Sequence, residues 1–249
     1  MKKFLTTLSI LAATAAPFTA SAAETSFTPD QKTEIEAMIK DYIQTNPSVV
    51  MDALEDFRMK ELERIEQAAQ EKAADITKHF KEDTEHPMTG NPEGDIVVVE
   101  FFDYNCGYCK KALTAVQELS EKNDDVKVIF VELPILGESS VTSAQWALAA
   151  QKQGKYFAFH QELMMHRGQK NVTEMKKLAE KIGLDVEQLE KDAEGDAVQE
   201  AITKNRELAQ EIGVSGTPAF LINDQIVKGF IPYAEMEKVI KDIRAENAE

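Results

Sequence analysis

The chain has 249 residues, with 28 Lys and Arg against 44 Asp and Glu, a net charge of −16 and two cysteines. So acidic a surface repels nucleic acid and anionic lipid, and neither is expected as a partner. Two cysteines are too few for a disulfide-stapled scaffold, and no second CxxC or HxxxH supplies the four ligands of a structural zinc.

In chain order, Lys2 and Lys3 precede an apolar run from Phe4 to Phe18, and Ala20-Ser21-Ala22 follows as a small-x-small cleavage signature. Residues 1–22 are predicted to be a secretory signal peptide, too short and too rich in small residues to anchor in a bilayer. Cleavage after Ala22 or Ala23 removes two lysines and no acid, leaving 26 basic against 44 acidic side chains, net −18. The Lys-rich start is bacterial in style and implies export to the periplasm. No later apolar run approaches the roughly 18 residues of a membrane helix, so no stable membrane insertion is expected.

Residues 23–80 read as helix. Thr28-Pro29-Asp30-Gln31 is a capping box with Pro at the first helical position. Ile35, Met38, Ile39, Tyr42 and Ile43 then recur at three- and four-residue spacing. Asn46-Pro47 ends this helix, and from Ser48 a second apolar stripe runs through Val50, Leu54, Phe57, Leu62, Ile65, Ala69, Ala73 and Ile76 to Phe80. A helix of roughly 30 residues is about 45 Å long, and its stripe needs burial. An oligomer seam is the favoured partner, with a hairpin folding back on its own domain as the alternative. The spacing breaks around Met59 to Glu61, against a regular coiled coil throughout. Residues 81–94, charged and holding two Pro and two Gly, are predicted to be a linker and the domain boundary.

From 95 to 249 the pattern changes. Strand Ile96–Asp103, helix Cys106–Glu121 and strand Val126–Glu132 make a βαβ unit. Residues 139–213 contain only helical patterns. Strands return at Ala219–Ile222 and Gln225–Phe230 across a tight Asn223-Asp224 turn, and a helix from Tyr233 to about Arg244 follows. The fold class is α/β with an inserted helical domain and an N-terminal all-helical oligomerisation region.

The chemistry centres on "EFFDYNCGYCK", residues 100–110. Strand–CxxC–helix places Cys106 at a helix N-terminus, where free N–H groups and the dipole favour a thiolate. Cys109, one turn on, is placed to resolve a mixed disulfide at Cys106. Gly107 and Tyr108 between them bring no cation. Gly216-Thr217-Pro218-Ala219-Phe220 puts an X-Pro bond, a candidate cis peptide, at the opening of a strand. His79, His86, His160 and His166 lie far apart and are expected to be solvated or locally hydrogen-bonded; Met164 and Met165 are expected to pack. Cu(I) held by the Cys106 and Cys109 thiolates is the non-enzymatic alternative.

"VVVEFFDYNCGYCK", the helical insert and "GVSGTPAFLIN" together resemble thioredoxin-fold thiol–disulfide oxidoreductases of the DsbA type, over about residues 94–244. "YIQTNPSVVMDALEDF" is similar to the N-terminal extension of ScsC, the suppressor-of-copper-sensitivity type. The resemblance implies Cys106 as nucleophile, Cys109 as resolving thiol and Glu100 as a buried acid assisting proton transfer. Thr217, Pro218, Gly107 and Tyr108 then line the substrate site. It implies no cofactor beyond the Cys106–Cys109 pair, with copper as the open alternative, and as partners misfolded or reduced exported proteins, a membrane thiol reductase or oxidase, and further copies of the chain. Gly-Tyr replaces the Pro-His of strongly oxidising DsbA, and Thr rather than Val precedes the Pro, as in bacterial disulfide isomerases. Both departures, with the expected oligomer seam, point away from a monomeric oxidase and toward an isomerase or reductant, a DsbA-like dithiol oxidase being the alternative.

Overall fold

The computed structural model describes residues 27–246, so the signal peptide expected over 1–22 lies outside the described residues. Contacts divide the chain into two compact units that meet at Arg58 and Met59.

In the first unit, helix α1 (Pro29–Thr45) starts at the expected capping box. Thr28 Oγ1 accepts the Gln31 N–H at 3.3 Å, and the Thr28 N–H donates to Gln31 Oε1 at 2.9 Å. These bonds satisfy donors the first turn would otherwise leave free. Asn46 stops the helix, its backbone N–H and its side-chain amide both donating to the Tyr42 carbonyl. Helix α2 (Ser48–Glu82) begins two residues later. No residue of α1 is buried, and Met38, Ile39, Tyr42, Leu54 and Phe57 all face water.

The second unit is built on a five-stranded sheet: β1 (Met88–Gly90), β2 (Ile96–Phe102), β3 (Val126–Glu132), β4 (Ala219–Ile222) and β5 (Gln225–Lys228), in the order β1-β3-β2-β4-β5. β2 and β3 run parallel, as a βαβ unit requires, and the other pairs are antiparallel. Helix α3 (Gly107–Lys122) connects β2 to β3. Between β3 and β4 lie α4 (Glu138–Lys152), α5 (Tyr156–Met165), α6 (Val172–Lys181), α7 (Val186–Ala193) and α8 (Asp196–Glu211), and α9 (Tyr233–Glu246) follows β5.

All seven positions of β2 are buried, because both sheet faces are covered. Ile96, Val98 and Phe102 pack in one core with Cys109, Ala112 and Val116 of α3 and Met236 and Ile240 of α9. Val97, Val99 and Phe101 pack in the other with Ala73, Ile76 and Phe80 of α2 and Ala209 and Ile212 at the end of α8. The last turns of α2 are therefore core elements of this unit. Thr77 Oγ1 donates to the Asn223 carbonyl in the β4–β5 turn, and Gln70 Nε2 to the Asp224 carbonyl at 2.6 Å. Asn223 holds that turn with φ +48°, and its side chain accepts the Val97 N–H at 2.9 Å.

Two expectations are corrected here. Residues 81–94 are not a free linker. Met88–Gly90 pairs with Lys127–Ile129 of β3, and Gly90, at φ +78°, lies where an added Cβ would stand 2.5 Å from the Val126 carbonyl oxygen. A three-residue strand is too short to show a period of two, so its composition read as loop. The boundary moves back to residue 58, close to where the α2 spacing breaks. The last strand also ends at Lys228 rather than Phe230. Gly229, at φ +94°, turns the chain there and donates to the Pro218 carbonyl at 2.9 Å.

Candidate active site

Cys106 is the N-cap of α3, with an extended backbone at φ −76°, ψ 118°. Its sulfur accepts the Cys109 N–H at 3.3 Å, one of the donors an N-terminus leaves unpaired. The Cys106 N–H donates to the Asp103 carbonyl at 3.0 Å, which pins the turn between β2 and α3. Both cysteines are reduced; Cys106 keeps 6% of its surface and Cys109 none. Burial pushes the Cys109 thiol well above its ordinary range, helped by its bond to Cys106 and by the Glu100 charge.

The Thr217–Pro218 peptide is cis, and the Thr217 carbonyl accepts from Cys106 Sγ at 3.2 Å. The backbone of Thr217, not its hydroxyl, meets the sulfur. That backbone contact is one a Val at the same position would also make. Glu100 lies in the middle of β2, paired with Phe130 and Phe220, 1% exposed. It falls on the same alternating face as Val98 and Phe102, the face that packs on Cys109. Its Oε1 is buried without a partner among the described residues, and desolvation pushes its carboxyl up to about 8. Gly107 faces open space. Tyr108 is 60% exposed, stacks on Phe230 with ring centroids 6.4 Å apart, and carries Lys111 Nζ 5.0 Å over its ring. The structure thus gathers Cys106, Cys109, Thr217 and Pro218 at one point, with Glu100 beneath and Gly107 and Tyr108 at the open side.

Over residues 81–242, well over half the chain, the sequence matches the family profile described as Thioredoxin. The chain belongs to the thioredoxin family. Within that family it groups with thiol–disulfide oxidoreductases of the ScsC and DsbA type. Residues 31–69 match the profile described as the copper resistance protein ScsC N-terminal domain. A thioredoxin-like oxidoreductase from Silicibacter pomeroyi is 43% identical, with a TM-score of 0.64 over 67% of this chain and 96% of that one. A linker-deletion variant of Proteus mirabilis ScsC is 25% identical, with a TM-score of 0.66 over 90% of this chain and 100% of that one. A probable disulfide bond formation protein D of Bacillus cereus is 29% identical over 152 residues, 55% of this chain and 69% of that protein. The chain spans only about a quarter, 24%, of the first curated relatives it matches, Na(+)/H(+) antiporters NhaA 1 of Mycobacterium sp.. Among the described residues, no helix of this thioredoxin-family chain is long and apolar enough to cross a membrane.

The remaining sequence candidates do not join the site. His86 Nδ1 bonds Asp83 Oδ2 at 2.5 Å, and its Nε2 faces Asn205 Oδ1 at 3.4 Å. His160 is buried against Phe102, Phe130 and Tyr156, with Nδ1 3.1 Å from the Tyr104 hydroxyl, and desolvation pushes its imidazole down to about 3. Met164 packs in the core as expected, whereas Met165 faces water. Among the described residues no group of three or more His, Cys, Asp or Glu is placed to hold a metal ion. The two thiols alone suit a soft, low-coordinate ion such as Cu(I) and no harder one.

Two features escaped the sequence reading. Glu132, at the end of β3, accepts from the Tyr104 and Tyr156 hydroxyls at 2.8 Å each, a buried cluster below the CxxC turn, and burial pushes its carboxyl well up. The two tyrosines lie 28 and 24 residues from it in sequence, with no motif linking the three. Asp103, three residues before Cys106, is 1% exposed, and its position in the turn before a reactive cysteine was the available signal.

Proposed function

We propose that this protein is a periplasmic thiol–disulfide oxidoreductase acting as a disulfide isomerase or reductant, with Cys106 as the attacking and Cys109 as the resolving thiol. The observation that carries the reading is the asymmetry of the pair. Cys106 Sγ receives a helix N-terminal N–H at 3.3 Å and retains surface, while Cys109 is sealed and its thiol pushed up. One sulfur is placed to meet a substrate disulfide, and the other is sealed until the mixed disulfide has formed. The Cys106 thiolate attacks a substrate disulfide, forming a mixed disulfide and releasing one substrate thiolate. A second substrate thiolate can then attack the bound substrate sulfur, forming the rearranged disulfide and freeing Cys106. If none arrives, Cys109 attacks Cys106, the substrate leaves as a dithiol, and two electrons have passed to it from the pair.

In this mechanism ionised Glu100 takes the Cys109 proton. Its Oε1, unpartnered among the described residues, and its raised carboxyl pKa support that role. Thr217 and Pro218, with Gly107 and Tyr108, receive the substrate backbone beside the sulfur. Substrates are misfolded or reduced exported proteins, and a membrane thiol reductase returns electrons to the pair. Copies of the chain associate through the apolar stripe of α1 and the start of α2. The exposure of Met38, Tyr42, Leu54 and Phe57 supports this, as does the ScsC N-terminal match.

Refolding of a scrambled and of a fully reduced test protein, with metal removed, decides the direction. Rescue of the scrambled protein is expected. Oxidation of the reduced one alone would mean a dithiol oxidase. The second reading is Cu(I) sequestration by the two thiolates, favoured by the ScsC match. Neither refolding activity together with tight Cu(I) binding would establish it.

A further inference from the structure

β2 and β3 set two buried carboxylates on one face of the sheet. The parallel register pairs Glu100 with Phe130 and Phe102 with Glu132, so all four side chains point the same way. That face packs in the core that holds Cys109. Glu100 and Glu132 stand on the diagonal of the square, their backbones about 8 Å apart from the strand spacing and the rise per residue. Both are 1% exposed. Lys127, a buried cation of β3, alternates onto the opposite face, where its ammonium donates to the Lys81 and Asp83 carbonyls. Two carboxylates facing one apolar core at that separation repel when both are ionised, so they lose their protons as a coupled pair.

The two acids have unequal surroundings. Glu132 Oε1 accepts the Tyr104 and Tyr156 hydroxyls at 2.8 Å each. The single Tyr104 proton is spent on Glu132, so His160 Nδ1, 3.1 Å from the same hydroxyl oxygen, is the donor to it. His160, Tyr104 and Tyr156 thus all aim their dipoles at one carboxylate. Glu100 Oε1 has no partner among the described residues. Burial pushes both carboxyls up; at Glu132 the two hydroxyls pull back, while the Asp103 and Glu100 charges push further. Asp103 is itself occupied, accepting the N–H groups of Asn105, Ile135 and Leu136 and the Ser140 hydroxyl. When the pair carries one proton, that proton therefore sits on Glu100, and Glu132 keeps the charge.

We propose that Glu132 is a positioning residue for the resolving step: a negative charge, held in place by Tyr104 and Tyr156, that keeps a proton on Glu100 and so delays the release of substrate by Cys109. The inference rests on the thiol-exchange reading above, with Glu100 as acceptor of the Cys109 proton. In that step the Cys109 thiol yields its proton to Glu100, and its thiolate attacks Cys106 Sγ. The bond from Cys106 to the substrate sulfur breaks, the substrate leaves as a thiolate, and the Cys106–Cys109 disulfide closes. A Glu100 that already holds a proton cannot take another. The mixed disulfide then lives longer, a second substrate thiolate has time to attack it, and rearrangement is favoured over reduction.

Oxidised glutathione tests this on the reduced, metal-free protein. Cys106 attacks one glutathione sulfur and releases the other glutathione as a thiolate; the mixed disulfide that remains decays through Cys109. Acid quenching and intact mass follow that decay from pH 5 to pH 9, and its rate should rise with pH through one midpoint. Glu132→Gln keeps an acceptor for both hydroxyls and removes the charge, so it should lower the midpoint by about one pH unit. Tyr156→Phe removes one donor and should lower it by about half as much. In Glu100→Gln the midpoint should vanish, and adding Glu132→Gln should change nothing further. A fall by the same factor at every pH in the Glu132 variant, or a midpoint unmoved or raised, is the mark of a structural tie and overturns the inference alone. A midpoint that survives in Glu100→Gln overturns Glu100 as the proton acceptor and this inference with it. If Cys109→Ser protein forms no mixed disulfide at Cys106, the thiol-exchange reading fails and the inference falls too. Should Glu132→Gln not fold, Tyr156→Phe decides: a lowered midpoint supports the inference and an unmoved one overturns it.

Discussion

The two ends of α2 carry the same apolar periodicity and meet opposite fates. Leu54, Phe57, Leu62 and Ile65 face water, Phe57 at 66% exposure, whereas Ala73, Ile76 and Phe80 lie in the core beneath Val97, Val99 and Phe101. Nothing in the local pattern separates them; both ends are interrupted by charged residues at the positions a solvated face would use. A helical period announces that one face will be covered, and covering it takes apolar surface from elsewhere in sequence. For the later turns that surface is the second face of the sheet. For the earlier turns no described residue supplies it.

The largest test of this contrast is a pair of truncations. Deleting residues 23–58 should leave a folded domain that retains exchange at Cys106 and no longer self-associates. Deleting 23–82 should abolish cooperative folding, because it uncovers a sheet face at Val97, Val99 and Phe101. Light scattering and thermal melts check both. A cooperative melt in the longer deletion, or a full-length monomer, would break the comparison.

Single substitutions should repeat the contrast more gently. Phe80→Ala should cost about 3–5 kcal/mol of unfolding free energy, the usual range for a large side chain lost from a packed core. Phe57→Ala, measured on dilute protein, should stay within about 0.5 kcal/mol, as exposed substitutions do. Phe57→Ala should instead weaken self-association. Urea melts at low concentration and sedimentation at high concentration separate the two effects.

Much of the fold was legible because its signals are local. The capping box at Thr28, the β-branched runs of β2 and β3 and the N-cap position of Cys106 each occupy a few adjacent residues, and each element lies within two residues of its expected place. The fate of α2, the strand at Met88–Gly90 and the Tyr104–Glu132–Tyr156 cluster were not legible. Each depends on a pairing across tens of residues that leaves no period or spacing behind. At the site, CxxC and Thr217-Pro218 announced themselves. Asp103 did not, because an acid before a turn residue resembles an ordinary solvated one until the donors around it are in place.

The sheet face away from α2 carries a charged counterpart of the same lesson. Glu100 is buried there without a partner for Oε1 among the described residues, and desolvation raises its carboxyl from 4.5 to about 8. In the unfolded chain it ionises near its ordinary value; in the folded chain it keeps its proton further up the scale. Its cost to folding is therefore absent below pH 4.5 and grows as pH rises toward 8. Glu100→Gln should gain stability relative to the wild type across that window, by at most on the order of 1.4 kcal/mol per pH unit. The difference should be smallest at acid pH, and melts at pH 5 and pH 8 read it. A pH-independent difference would show that Glu100 is solvated in the folded protein.

The smallest expected effect returns to α2 and compares two acids. Glu61 pairs with Arg64 at 2.5 Å on the exposed stretch. Asp83, just past the buried end, is enclosed: Oδ1 accepts the Glu85 and His86 N–H groups at 2.6 and 2.9 Å, and Oδ2 bonds the His86 ring at 2.5 Å. Burial alone would push the Asp83 carboxyl up, but the bonds from His86 and Glu85 outweigh it and hold the group well below the usual carboxylate range. The Asp83 carbonyl meanwhile accepts from the buried Lys127 ammonium at 2.7 Å, fastening the helix end to β3. A depressed carboxyl stabilises the fold above its unfolded value near 3.8, and that contribution is lost as pH falls through the folded value. Asp83→Asn should therefore cost about 1–2 kcal/mol at pH 7, the scale of charge-assisted bonds lost at a partly buried site, and progressively less below pH 4. Amide exchange should quicken at Phe80 to Asp83, where the last turn of α2 is tied down, before it does elsewhere in the domain. Glu61→Gln should leave both the melting temperature and the exchange pattern of the domain unaltered, because a solvated i,i+3 pair is screened and costs side-chain entropy to hold. Equal responses to the two substitutions would mean that the buried end of α2 is held no more firmly than the exposed one.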